Sequence, residues 1–355
     1  MPIWSLAVPL VAAIFLAASF MLPASTPLLV LAGAALMGAV LASVHHAEVI
    51  AHKVGEPLGT LVLALAVTVI EVALIVTLML AGGAGAAAVA RDTVFSAIMI
   101  ICTGVVGLCL LLGGLRHREQ SFRVEGAHAG LSALVALAGL TLVLPTFTTS
   151  TSGGTYSTSQ LMFAGAASLA LWLAFVFVQT VRHRDYFLPR EDPSNHEVHA
   201  EPPSAGQTWA SLGLLVVSLV SVIGLAKVLS PTIERVVDQA GAPKAVIGVV
   251  IALLVLLPET VAAIRAALAN RLQTSLNLAF GSALASIGLS IPAVAVVSVW
   301  LGLPLQLGIE GKDLVLLMLT FAVAIMTVAD GRTTVMQGAV HLVLFAAFLF
   351  LTLVP

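Results

Sequence analysis

Two glutamates stand alone in long apolar sequence. From Pro57 to Ala90 the only ionisable side chain is Glu71, and from Ala245 to Ile264 the only one is Glu259. A charge at the centre of a membrane helix costs roughly 2.5–3.5 kcal/mol on insertion scales, so such residues usually mark an ion or proton pathway. A carboxylate can hold a cation when ionised and a proton when neutral. Two of them balance one divalent ion when both are ionised and balance none when both are protonated. Cation and protons then compete for one place, which is the chemistry of an exchanger. The plain alternative is a protonated Glu bonded between helices for packing only. Two such residues at corresponding places of two halves speak against that alternative.

The surrounding elements must be membrane helices. The chain has 355 residues, 60% hydrophobic and 9% charged, with a mean hydropathy of +1.11. Soluble domains carry about 25% charged residues, so this composition excludes a soluble protein. A net charge of −2 gives no basic footprint for nucleic acid. Cys102 and Cys109 share one apolar run. Seven helical residues separate them by ~10 Å, too far for a disulfide. No Cys/His spacing resembles a zinc site, no HExxH or soluble catalytic domain suggests an enzyme, and no cofactor is expected.

Apolar runs long enough to span a bilayer cover 4–22, 26–44, 58–81, 92–114, 125–145, 160–181, 209–229, 243–268, 275–301, 312–329 and 334–353. The first lacks a basic leader, so a cleaved signal peptide is not expected. Continuous rather than alternating apolar patterning excludes an outer-membrane barrel. Lys and Arg in alternate loops divide ten against five. The ten include Lys53, Arg118, Arg184 and Arg271, and the five include Arg91 and Lys244. The positive-inside rule then puts the N-terminus inside and the C-terminus outside.

The fold class predicted is an all-α polytopic membrane protein of about eleven spans. A helix over 1–25 precedes two five-helix repeats, 26–181 and 209–355, joined by a charged, Pro-containing cytoplasmic linker over 182–208 that holds His183, His196 and His199. An odd number of spans per repeat inverts the second repeat in the membrane, and each glutamate lies on the second span of its repeat. This is the plan of secondary transporters, whose sites lie at the midplane between inverted repeats. Glu71 and Glu259 should therefore face each other on helices of opposite direction. A bridging Ca²⁺, with Ca–O distances of ~2.3–2.6 Å, would hold their oxygens within about 5 Å.

Several neighbours could complete the cavity. Pro258 directly precedes Glu259 and is expected to interrupt its helix and release carbonyl oxygens. Thr68 lies one turn before Glu71. Asn277, Ser282, Ser286 and Ser290 recur near every fourth residue, on one helical face, while Gly281 and Gly288 suit close helix packing. The matching stretch of the first repeat has Ser96 and Thr103. Glu48, His52 and Glu56 have i, i+4 spacing and could form a cytoplasmic vestibule, although a solvated helix end explains them as well.

The segments VGEPLGTLVLALAVTVIEVALIVTLML (54–80) and LLPETVAAIRAALANRLQTSLNLAFGSALASIGLSIPAVAV (256–296) resemble the two α-repeats of the cation/calcium exchanger superfamily. HHAEVIAHKVGEPLGT (45–60) belongs to the same resemblance, which is closest to bacterial calcium:proton antiporters of the ChaA type. It implies eleven spans, inverted repeats and proton-driven cation exchange. It also implies that Glu71 and Glu259 bind cation and proton in turn, so both are the metal ligands expected here. The superfamily's Asn- and Ser-rich signature is replaced in the first repeat by SAIMIICTG (96–104), and GSALAS (281–286) keeps only the serines.

The function expected is Ca²⁺/H⁺ exchange by alternating access in a bacterial inner membrane, with lipid, inorganic cations and protons as partners. An Na⁺(K⁺)/H⁺ antiporter is the close rival. A cation channel is the more distant one, because channel filters usually come from rings of subunits rather than from unequal repeats.

Overall fold

The computed structural model describes residues 2–23, 25–55, 58–82, 85–188 and 203–355. Its helices are α1 (Ile3–Met21), α2 (Thr26–Val54), α3 (Leu58–Ala81), α4 (Val89–Met99), α5 (Val106–His117), α6 (Val124–Ala138), α7 (Leu144–Phe147), α8 (Thr158–Phe177), α9 (Ala205–Gln239), α10 (Ala245–Leu268), α11 (Leu272–Leu301), α12 (Gly311–Ala329) and α13 (Val335–Leu353). π-Helical stretches at Ile100–Val105 and Gly139–Val143 join α4 to α5 and α6 to α7, and a third, Val178–Arg182, extends α8. Counted as continuous rods, eleven described helices are long and apolar enough to cross a membrane.

Two helices outrun the apolar runs that announce them. α2 continues past 44 to Val54 and ends at Gly55, whose φ of 77° suits glycine. α9 continues past 229 to Gln239 and passes through Pro231. Hydropathy marks where a helix leaves the hydrocarbon, not where its backbone hydrogen bonds stop. The start of α9 is set by a capping box: Ser204 accepts from the Gln207 amide, and Gln207 accepts from the Ser204 amide.

The chain forms two compact units: Met1–Ala86 with His196–Lys244, and Ala87–Asn195 with Ala245–Pro355. In the first, α1, α2, α3 and α9 pack together. His46 on α2, fully buried, joins three of these helices: Nδ1 is 3.2 Å from Ser211 Oγ on α9 and Nε2 is 2.8 Å from the Ser5 carbonyl on α1.

In the second unit α10 packs on α4 and α11, α8 on α11, and α13 on α5. Close approach depends on glycine. A Cβ at Gly248 would fall 2.6 Å from the Asp92 backbone, and one at Gly288 would fall 2.5 Å from Trp172. Gly281, expected at a helix contact, has nothing within 4 Å of its Cβ position, so it serves no such contact. One end of this unit is tied by an antiparallel ribbon, β1 (Gln120–Ser121) with β2 (Arg332–Thr333), and by His117 and Gln120 bonding the Leu268 and Ala267 carbonyls at the end of α10. The other end joins Gly154 to Gly308, and Thr146 to the Ile309 carbonyl. Loops 118–123, 269–271 and 330–334 thus share one end, as alternation of the spans requires.

The stretch expected to open the linker is partly structured. Arg184–Phe187 forms a 3₁₀ turn whose Phe187 is buried against Phe175. His196 and His199 lie outside the described residues.

Candidate functional site

Glu71 sits in the middle of α3, in the first unit, and is 4% exposed. Ile70, Leu74 and Ile75 beside it are buried. Thr68 is buried one turn earlier, and its hydroxyl donates to the Ala64 carbonyl at 2.8 Å, which leaves oxygen lone pairs for another partner. Glu48 and His52 ride one turn apart on the exposed tail of α2, and Glu56 lies outside the described residues.

Glu259 sits on α10 in the second unit and is half-buried. It lines a small cavity with Leu256 and Thr260 of its own helix, Ala279 and Ser282 of α11, and Ile101 and Val105 of the π-helical stretch between α4 and α5. The structure thus brings Glu259 and Ser282 together. It adds Thr260, whose hydroxyl donates to the Leu256 carbonyl at 2.7 Å. Ser286 and Ser290 are buried further along α11, and Ser96 is buried on α4; none of the three lines this cavity. Asn277 has a different set of partners: it accepts from Gln273 Nε2 at 2.9 Å and donates to the Phe187 carbonyl at 2.5 Å. It holds the turn after α8 against α11.

The expected break at Pro258 is not present. α10 runs as one helix from Ala245 to Leu268 through Pro258. Pro9, Pro231 and Pro292 are likewise carried inside helices. A membrane helix tolerates a proline when neighbouring helices and hydroxyls satisfy the affected backbone. α10 packs on α4, α5 and α11 and continues through Pro258 as one helix. The irregularity lies instead in the wall opposite, where Ile100–Val105 is π-helical. π-Bulges recur at functional sites. Sequence reasoning missed this wall and Thr260. The available signals were Thr103–Gly104 inside an apolar run and a hydroxyl next to Glu259.

The sodium/calcium exchanger protein family model matches residues 24–181 and 210–354, and the chain belongs to that family. It is a multi-pass membrane protein of the cation exchanger class. A putative ionic transporter, y4hA, of Sinorhizobium fredii (strain NBRC 101917 / NGR234) is 50% identical over 361 residues, covering 100% of this chain and 97% of its own length. The sodium-potassium/proton antiporter ChaA of Escherichia coli (strain K12) is 37% identical over 309 residues, 86% of this chain and 83% of its own length. Among solved structures, native YfkE superposes with a TM-score of 0.74 at 18% identity, covering 99% of this chain and all of that one. At that identity the likeness speaks for the fold.

Proposed function

We propose that this protein is an inner-membrane cation/proton antiporter that exchanges Ca²⁺ for H⁺ by alternating access, and that Glu71 and Glu259 are both required, binding cation and proton in turn. The observation that carries this reading is that each of two apolar helices bears one carboxylate, Glu71 being buried and Glu259 opening on a cavity with Thr260 and Ser282. Calcium takes six to eight oxygens from carboxylates, hydroxyls, carbonyls and water. The Glu259 carboxylate, the Thr260 and Ser282 hydroxyls and water are donors of that kind. An unbroken α10 offers few free carbonyls, so water supplies a larger share than a broken helix would require. Proton entry neutralises the carboxylates and releases the cation. The ten-to-five division of Lys and Arg supports an N-terminus inside.

A second reading, Na⁺(K⁺)/H⁺ exchange, is favoured by the name of the Escherichia coli relative. Transport in proteoliposomes under an imposed pH gradient separates the two. Ca²⁺-driven proton movement exceeding that with Na⁺ or K⁺ is the expected result. Movement with Na⁺ and K⁺ but not Ca²⁺ selects the second reading, and cation flux without proton coupling overturns both. Apparent Ca²⁺ affinity should fall as pH drops, because protons neutralise the ligands.

A further inference from the structure

One face of α13 carries Gly338, His341 and Phe345 at i, i+3 and i+7, and it packs on Gly104 and Gly107. The approach is tight: a Cβ at Gly338 would stand 2.4 Å from the Leu111 amide nitrogen, and one at Gly107 would stand 3.0 Å from His341 Cβ. This contact puts a fully buried histidine directly on the π-helical stretch Ile100–Val105. His341 Nδ1 donates to the Cys102 carbonyl at 2.7 Å. Nε2 is 2.9 Å from Thr327 Oγ1 on α12. A carbonyl only accepts, so Nδ1 carries a hydrogen; in the neutral ring Nε2 then accepts from the threonine hydroxyl. Both ring nitrogens are satisfied, and the ring's orientation is set from two helices.

Cys102 lies between Ile101 and Val105, the two residues of this stretch that wall the Glu259 cavity. Changing from i→i+4 to i→i+5 bonding re-aims the side chains on either side of the change. A donor from another helix on the Cys102 carbonyl holds that register. We infer that His341 is a positioning residue for the cation site: through the Cys102 carbonyl it fixes the π-helical wall that faces Glu259, without itself touching the ion. The inference rests on the reading of Glu259 as a cation ligand.

The test is transport by full-length protein in proteoliposomes, with half-saturation and maximal rate measured separately for Ca²⁺ and Na⁺. His341→Asn keeps an amide donor near the place of Nδ1, whereas His341→Gln reaches towards Nε2 and Thr327. Loss of one buried hydrogen bond at the wall predicts a roughly three- to tenfold rise in half-saturation for His341→Ala and His341→Gln. Maximal rate should change less than this, and His341→Asn should return half-saturation to within about twofold of the parent. A parent-like half-saturation in His341→Ala, or a His341→Asn variant as impaired as His341→Gln, overturns the inference. The Asn/Gln pair still decides if the alanine variant does not fold. Glu259→Gln is measured alongside: normal transport in that variant refutes the cation-ligand reading itself, whereas an inactive Glu259→Gln with unmoved His341 variants refutes only the positioning role.

Discussion

Glu71 and Glu259 are each the lone carboxylate of an apolar helix, yet their surroundings are built differently. α3 is a regular helix without proline, and its glutamate is flanked by buried aliphatic residues and a threonine bonded within its own helix. α10 carries a proline beside its glutamate, and the facing wall is π-helical. All three π-helical stretches belong to the second unit; among the described residues the first unit has none. In the second unit, moreover, two of those stretches have a carbonyl held from elsewhere: His341 holds Cys102, and Tyr156 Oη donates to the Leu140 carbonyl at 2.6 Å. Burial pushes the Tyr156 hydroxyl above its ordinary pKa, which keeps it a donor. The difference teaches that the wall beside Glu259 is held by a residue far away in sequence.

The largest effect should fall on both sides of this comparison equally. Glu71→Gln and Glu259→Gln should each reduce exchange to the level of empty vesicles while leaving a folded, monodisperse protein, because the amide keeps the shape and loses the titratable charge. Normal exchange in either variant would break the pairing. Packing should then separate the units. Gly338→Leu forces a side chain into the Leu111 backbone and should destabilise by about 1–3 kcal/mol or more. Gly33→Ala on α2, where nothing lies within 4 Å, should be neutral or stabilising by up to about 1 kcal/mol. Thermal unfolding in detergent reads both, and equal losses would contradict the contrast.

His46→Ala leaves the buried Ser211 hydroxyl and Ser5 carbonyl without their common partner, and should lower stability by about 1–3 kcal/mol. Its half-saturation for cation should stay at the parent value, unlike that of His341→Ala, and transport kinetics on the same preparation check this. The smallest effect is expected for Tyr156→Phe, which removes one hydrogen bond to a π-helical carbonyl and should lower stability by about 1 kcal/mol. A change in unfolding midpoint no larger than the error of the measurement would mean that this bulge holds itself.

The spans were legible because they depend on local composition. The run 58–81 coincides with α3, and Glu71 interrupts it visibly. Helix ends beyond the hydrocarbon were not legible: α2 and α9 extend by ten residues because backbone hydrogen bonding continues where hydropathy has already changed. Pro258 misled for a related reason. The propensity of proline to break a helix is local, but the packing of α4 and α11 that overrides it is not. The wall at Ile100–Val105 was invisible in SAIMIICTG because its register is tied to His341, 239 residues from the Cys102 carbonyl it holds. Ser282 could be anticipated from the four-residue spacing on α11, whereas the same spacing did not reveal that the Asn277 amide binds Gln273 and the Phe187 carbonyl.

The central claim of the proposal is that cation binding needs both glutamates. Calorimetric titration of Ca²⁺ into purified protein, in two buffers of different ionisation enthalpy, tests it most directly. The account predicts one Ca²⁺ per chain in the parent, bound with release of protons, and no measurable binding in either Glu71→Gln or Glu259→Gln. Binding of Ca²⁺ with parental affinity and undiminished proton release in one of the single variants would contradict it, since the remaining carboxylate would then be a complete site by itself.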